Sequence, residues 1–240
     1  MDGKNTSMNT LDRLIALAGQ PASALPEDAR RLAAASLFDW LLCGRAGIDE
    51  PVAKAMRAFA GTECKSGAAS LLGGGMAPPR MAALVNGATS HALDCDDTHF
   101  DHVGHLSVGI LPAVLAVGEE QEAGVPDLVD AFLVGAEAAI RVGCILGPAH
   151  YNRGFHQTAT AGSFGATVAA ARLRGLTDAQ LRNAIGLCSS RASGLKSQFG
   201  TMGKPLNAGL SAANGVEASA LAELGLISAE DGLMGEQGFV

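Results

Sequence analysis

All six histidines of the chain (His91, His99, His102, His105, His150 and His156) fall within one third of the sequence, and four of them are interleaved with Asp94, Asp96, Asp97, Thr98 and Asp101. Ionisable groups are costly to bury unless paired, so so polar a stretch between apolar segments is either a solvated loop or a site. As a site it admits two chemistries. In the first, Asp96, His99, His102 and His105 hold a metal ion, because imidazole and carboxylate at turn or helical spacing suit one. In the second, the cluster carries out metal-free acid–base catalysis. On a small anionic substrate that chemistry needs a proton acceptor near an acidic carbon, a donor for the leaving group or the new C–H bond, and cations to hold the anion. Asp94, the local histidines and the distant Lys204 supply these three needs.

Lys204 stands in GTMGKPLNAG, a cation among glycines and a proline just before a helix, where backbone donors and the helix dipole also favour an anion. The plainer alternative is a surface lysine in a turn. His156 belongs to RGFHQTATAGSFGA, a run of small polar residues leading into an alanine-rich helix, and its plainer alternative is a structural residue at that helix start. The Ala161, Gly165 and Ala169 stripe fits close helix packing. No GxGxxG or GKS pattern marks it as a phosphate loop.

The elements that must position these residues read as helices. Leu11, Leu14, Ile15 and Leu17 begin an apolar periodicity that Leu32, Leu37, Phe38, Leu41 and Leu42 continue. Pro26 with Glu27 and Asp28 suits a first turn, and Gly44 is expected to end that helix. Further helices are predicted at about Pro51–Phe59, Pro79–Ala92, Ser107–Glu120, Pro126–Leu146, Ala161–Leu173, Thr177–Ser190 and Leu206–Leu224. Thr177 to Gln180 forms a capping box. Only Ala68–Leu72 suggests a strand, so the fold class is all-α, and without a repeat or linker residues 1–240 read as one unit.

Composition narrows the partners. With 48% hydrophobic, 17% charged and 4% aromatic residues, the interior must be built from small side chains in close contact. A net charge of −7 disfavours nucleic acid and anionic membrane surfaces. The longest uncharged stretches, Val103–Gly118 and Gly154–Ala171, are interrupted by Pro112 or dominated by Gly, Ala, Thr and Ser, so no membrane span is expected. The start, MDGKNTSMNTLDRL, resembles no secretory or transit segment, and five scattered cysteines suggest reduced thiols. A cytoplasmic location is the expectation.

Four blocks in order, NGATSHALDCDDTH, HLSVGILPAVLAVGE, RGFHQTATAGSFGA and GTMGKPLNAGLSAANGVEASALAELG, resemble the MmgE/PrpD family of 2-methylcitrate dehydratases and cis-aconitate decarboxylases. The resemblance implies a large helical-bundle domain carrying a smaller α/β lid, usually in a homodimer. It also implies that this chain stops before the lid and lacks C-terminal helices that complete the bundle. Its implied activity is that of a cofactor-free, metal-free lyase on a small polycarboxylate, with 2-methylcitrate dehydration placed first. Cis-aconitate decarboxylation, iminodisuccinate epimerisation and a catalytically inactive truncated member are the alternatives. The family's active-site positions fall on Asp94, Thr98, His105, His156 and Lys204. Leu106 and Gln157 stand where the motifs carry prolines, and Asn207 stands where a histidine is usual.

Overall fold

Apolar positions at helical spacing become nine helices among residues 8–240, which the computed structural model describes. They are α1 (Thr10–Ala18), α2 (Glu27–Gly47), α3 (Pro51–Glu63), α4 (Pro79–Ser90), α5 (Ser107–Glu120), α6 (Val125–Asn152), α7 (Gln157–Leu173), α8 (Asp178–Ser189) and α9 (Gly203–Glu223). Two two-residue strands, β1 (Ala69–Ser70) and β2 (Met76–Ala77), pair antiparallel around Gly73, Gly74 and Gly75, all at positive φ. The all-α expectation holds, with the minor strand where it was expected. The seven residues on which the reading of the chain's start partly rests lie outside the described ones. No described helix is long and apolar enough to cross a membrane.

The centre of the bundle is α7. Every residue from Gln157 to Ala171 is buried, with α6 on one side and α9 on another, while α5 packs against α4, α7 and α9. A helix enclosed on all sides has no polar face, which is why its sequence lacks an amphipathic stripe. Small residues make the enclosure possible. A Cβ on Gly135 or Gly165 would stand 2.6 Å from the other's carbonyl oxygen, so α6 and α7 touch at backbone distance. The glycine and alanine stripe is therefore a packing surface.

Three local outcomes differ from expectation. Gly44 does not end α2, which runs on to Gly47; a Cβ at Gly44 would meet Leu72 Cδ1 at 2.6 Å, so the residue serves close packing inside the helix. Helix α6 breaks just after the expected end at Leu146, where Gly147 takes φ 62 and ψ −175 before a short continuation from Pro148. Third, α9 starts at Gly203, so Lys204 sits inside its first turn and not just before it. Leu32, Phe38, Leu41 and Leu42 of α2 form an exposed apolar face, as a bundle lacking its later helices is expected to show. The capping box is present: Thr177 Oγ1 accepts from Gln180 N–H, and Gln180 Oε1 accepts from Thr177 N–H.

Candidate active site

One end of the bundle gathers the C-terminus of α4 and the first turns of α5, α7 and α9 around the loop from Ala92 to Leu106. His91 is the C-cap of α4, His156 is the N-cap of α7, and Lys204 lies in the first turn of α9. Two side chains anchor the loop. Asp97 accepts from Ser107 N–H at 3.0 Å and from the Ser107 hydroxyl at 2.5 Å, tying the loop to the start of α5. Thr158 Oγ1 accepts from His105 N–H at 2.9 Å, which sets the loop against α7.

Within this frame a buried carboxylate sits between two imidazoles. Asp96 Oδ1 is 2.8 Å from His91 Nδ1, and Asp96 Oδ2 is 2.8 Å from His105 Nδ1. The second contact is an ion contact out of line for a hydrogen bond; the His105 Nδ1–H instead points to the Asp97 carbonyl at 3.0 Å, with Thr98 Oγ1 at 3.5 Å. Burial alone would raise the Asp96 pKa, but the two imidazoles outweigh it and hold this carboxyl well below the usual range. Burial likewise opposes charge on His105, yet contact with Asp96, assisted by Asp94, outweighs burial and raises its pKa above the ordinary imidazole value. Lys204 limits that rise.

The outer edge of His105 faces Asp94, whose Oδ1 is 3.5 Å from His105 Nε2 and 2.5 Å from Lys204 Nζ. Asp94 adopts φ 55, a left-handed conformation uncommon for a residue with a Cβ, and this aims its carboxylate back at the cation. His156 is different. Burial, followed by electrostatic repulsion from its neighbours His91, Lys204 and His105, lowers its pKa to about 3, so it is neutral at physiological pH. Two titratable rings of one site thus have their proton affinities pushed in opposite directions, His105 up and His156 down.

Thr98, His105, His156 and Lys204 line one cavity of about 200 Å³, together with Tyr151 and Phe199. Asp94 lines an adjoining hollow of about 380 Å³ with His91 and Met202, and Lys204 borders both. All five residues singled out in the sequence therefore meet at one place, although Lys204 and Asp94 are 110 positions apart. The metal set read from spacing does not assemble. His102 is buried with Nδ1 on the Ala139 carbonyl and its pKa lowered by burial to about 4, and His99 Nδ1 accepts from His102 N–H at 3.2 Å.

Another group of possible ligand atoms, on His91, Asp94, Asp96 and His105, lies within 4.8 Å. Its donors suit a divalent cation, but the Lys204 ammonium already provides the positive charge on Asp94. The spacing of the sequence pointed to His99 and His102 and missed His91. A histidine ending one helix and an aspartate five residues later carry no periodic signal. Asn207 was flagged only as a departure from a motif; in the fold its amide is within 3.3 Å of His156 Nδ1.

Fold and site define a helical domain with a cluster of carboxylates, imidazoles and one ammonium at one end of the bundle. Residues 16–240 match the family described as MmgE/PrpD N-terminal domain, and the chain belongs to that family. It is 34% identical over 168 residues to the cis-aconitate decarboxylase of Homo sapiens, covering 68% of this chain and 34% of the relative. To the cis-aconitate decarboxylase of Aspergillus terreus it is 32% identical over 210 residues, covering 84% and 43%, and to that of Mus musculus 35% over 161, covering 62% and 31%. The chain thus spans about a third to under half the length of these relatives.

Proposed function

We propose that this chain carries the acid–base centre of a lyase for small polycarboxylates, with cis-aconitate decarboxylation as its reaction. The observation that carries the reading is the convergence of an imidazole whose pKa is raised by its carboxylate neighbours (His105), a neutral imidazole (His156) and an ammonium (Lys204) on one cavity. Loss of CO₂ from the carboxymethyl arm of cis-aconitate breaks a C–C bond. The electron pair forms a new double bond, the old one shifts, and the far carbon takes up one proton. The net reaction consumes a proton and releases CO₂, so it requires an acid aimed at carbon and cations to hold the remaining carboxylates.

His105 suits the acid role, because its Nδ1 side is held by Asp96 and the Asp97 carbonyl while its Nε2 side faces Asp94 and the cavity. Lys204 suits carboxylate binding: a substrate carboxylate competes with Asp94 for its ammonium, and His156 provides a second polar contact. Asp94 is then free to help return a proton to His105 Nε2. Relatives named as cis-aconitate decarboxylases support decarboxylation over the 2-methylcitrate dehydration that the motifs put first. A homodimer and a cytoplasmic location belong to the same reading, supported by the exposed apolar face of α2 and by five free thiols.

The test is a substrate screen of this chain and of a longer form carrying a lid, with cis-aconitate and 2-methylcitrate as the first two compounds. CO₂ release from cis-aconitate by either form is the expected result. Water release from 2-methylcitrate without decarboxylation would replace the reaction, and turnover of neither by both forms would overturn the assignment.

A further inference from the structure

Asn207, one turn beyond Lys204 in α9, is buried, and its amide nitrogen faces two groups. It lies 3.3 Å from the Leu195 carbonyl oxygen and 3.3 Å from His156 Nδ1. A carbonyl oxygen can only accept, so the first contact fixes which end of the amide is nitrogen. The carbonyl is itself held in place. His156 N–H donates to the Gly194 carbonyl at 3.0 Å, Lys196 N–H donates to the Gly154 carbonyl at 2.8 Å, and Phe155 bridges Leu195 antiparallel. With one amide hydrogen on Leu195, the other points to His156 Nδ1, which must therefore offer its lone pair. The proton of the neutral ring then belongs on Nε2. Among the described residues Nε2 has no hydrogen-bond partner, and the ring lines the cavity.

We propose that Asn207 is a positioning residue that fixes His156 as the neutral tautomer protonated at Nε2, so that the ring presents a hydrogen-bond donor to a substrate carboxylate and not a proton acceptor to its carbon. This deepens the polycarboxylate reading and rests on it for the identity of the acceptor. It divides the work between the histidines: His105 carries the mobile proton, and His156 holds a carboxylate without changing its protonation. Burial and the surrounding charges keep His156 from taking a second proton. Those groups are His91 at the end of α4, His105 and Asp96 in the loop, and Lys204 in α9, of which only Asp96 favours protonation. An aspartate at position 207 reverses the logic, because a carboxylate accepts from Nδ1–H and favours the imidazolium.

The tautomer is directly measurable by long-range ¹H–¹⁵N correlation on the histidine-labelled chain, with the His156 signals assigned by their loss in His156→Gln. Wild type is expected to show Nδ1 unprotonated and Nε2 protonated throughout the physiological pH range. Asn207→Asp is expected to move the proton to Nδ1 and raise the His156 pKa by about one pH unit or more, and Asn207→Ala to give mixed tautomers. An Nδ1-protonated ring in wild type would overturn the proposal, as would the same tautomer in wild type and Asn207→Ala. The wild-type and alanine spectra suffice should the aspartate variant not fold. No substrate enters this measurement, so its failure is separable from failure of the functional reading. Adding a tricarboxylate is then expected to shift Nε2 and leave Nδ1 nearly unchanged; a bound tricarboxylate that shifts only Nδ1 overturns the donor role.

Discussion

Replacing Asp96 by asparagine removes the negative charge between two imidazoles while keeping the shape of the side chain. Asp96 side-chain atoms are fully buried and those of His105 are 16% exposed, so solvent screens their contact only in part. With nitrogen and oxygen in contact, the charge centres are about 4 Å apart, a pair worth ~4 kcal/mol at an effective dielectric near 20. Removing one partner of a buried pair costs about 3–5 kcal/mol, and asparagine, which keeps an acceptor for one imidazole, should fall near the low end. The sign of the pH dependence follows from the two shifts. Asp96, with its pKa lowered by folding, stabilises above its unfolded value near ~4, and that contribution is lost as pH falls through the folded value. His105, with its pKa raised, stabilises fully below its unfolded value near ~6.5, and its contribution is lost as pH rises through the folded value. The gap between wild type and Asp96→Asn should therefore be widest between about pH 4 and 6.5. Urea unfolding across pH measures it. A gap below ~1 kcal/mol, or one that does not change with pH, would refute the charged Asp96–His105 pair.

In the active protein, Asp96→Asn should also move the alkaline limb of the rate profile to lower pH, since His105 gives up its proton more readily; an unmoved limb would exclude His105 as the acid. Phe164, fully buried in the main core, should cost about 3–5 kcal/mol when replaced by alanine, measured by chemical unfolding, and a loss under ~1 kcal/mol would contradict the close packing around α7. Gly165→Ala should destabilise by at least about 1–3 kcal/mol, because its new Cβ meets the Gly135 carbonyl, and an unchanged melting temperature would contradict that backbone contact. Activity is expected to survive chelation, with no stoichiometric zinc, iron or manganese in the purified protein. A bound metal lost together with activity would transfer the His91, Asp94, Asp96 and His105 cluster to metal chemistry.

Local rules made much of the architecture legible. Helical spacing gave the helices, and the capping box at Thr177 placed the start of α8 within a residue. Gly44 misled because a glycine inside a helix and one that ends it look alike in sequence; only Leu72, brought close by the hairpin, distinguishes them. The grouping of Asp94, Thr98, His105, His156 and Lys204 at one place was legible in the motif blocks. The pairing of Asp96 with His91 was not, because it depends on where α4 ends and how the loop turns back. The same holds for Asn207: its partner His156 is 51 positions away, and the contact exists only because α9 lies against α7.

The central claim, that Lys204 binds a carboxylate and His105 delivers the proton, is tested most directly by the split between KM and kcat in Lys204→Ala and His105→Ala of a lid-containing form acting on cis-aconitate. Lys204→Ala should raise KM about tenfold or more through lost carboxylate binding, whereas His105→Ala should lower kcat on the order of 10²-fold or more with a smaller change in KM. Unchanged turnover in both variants, in a protein that decarboxylates cis-aconitate, would contradict it.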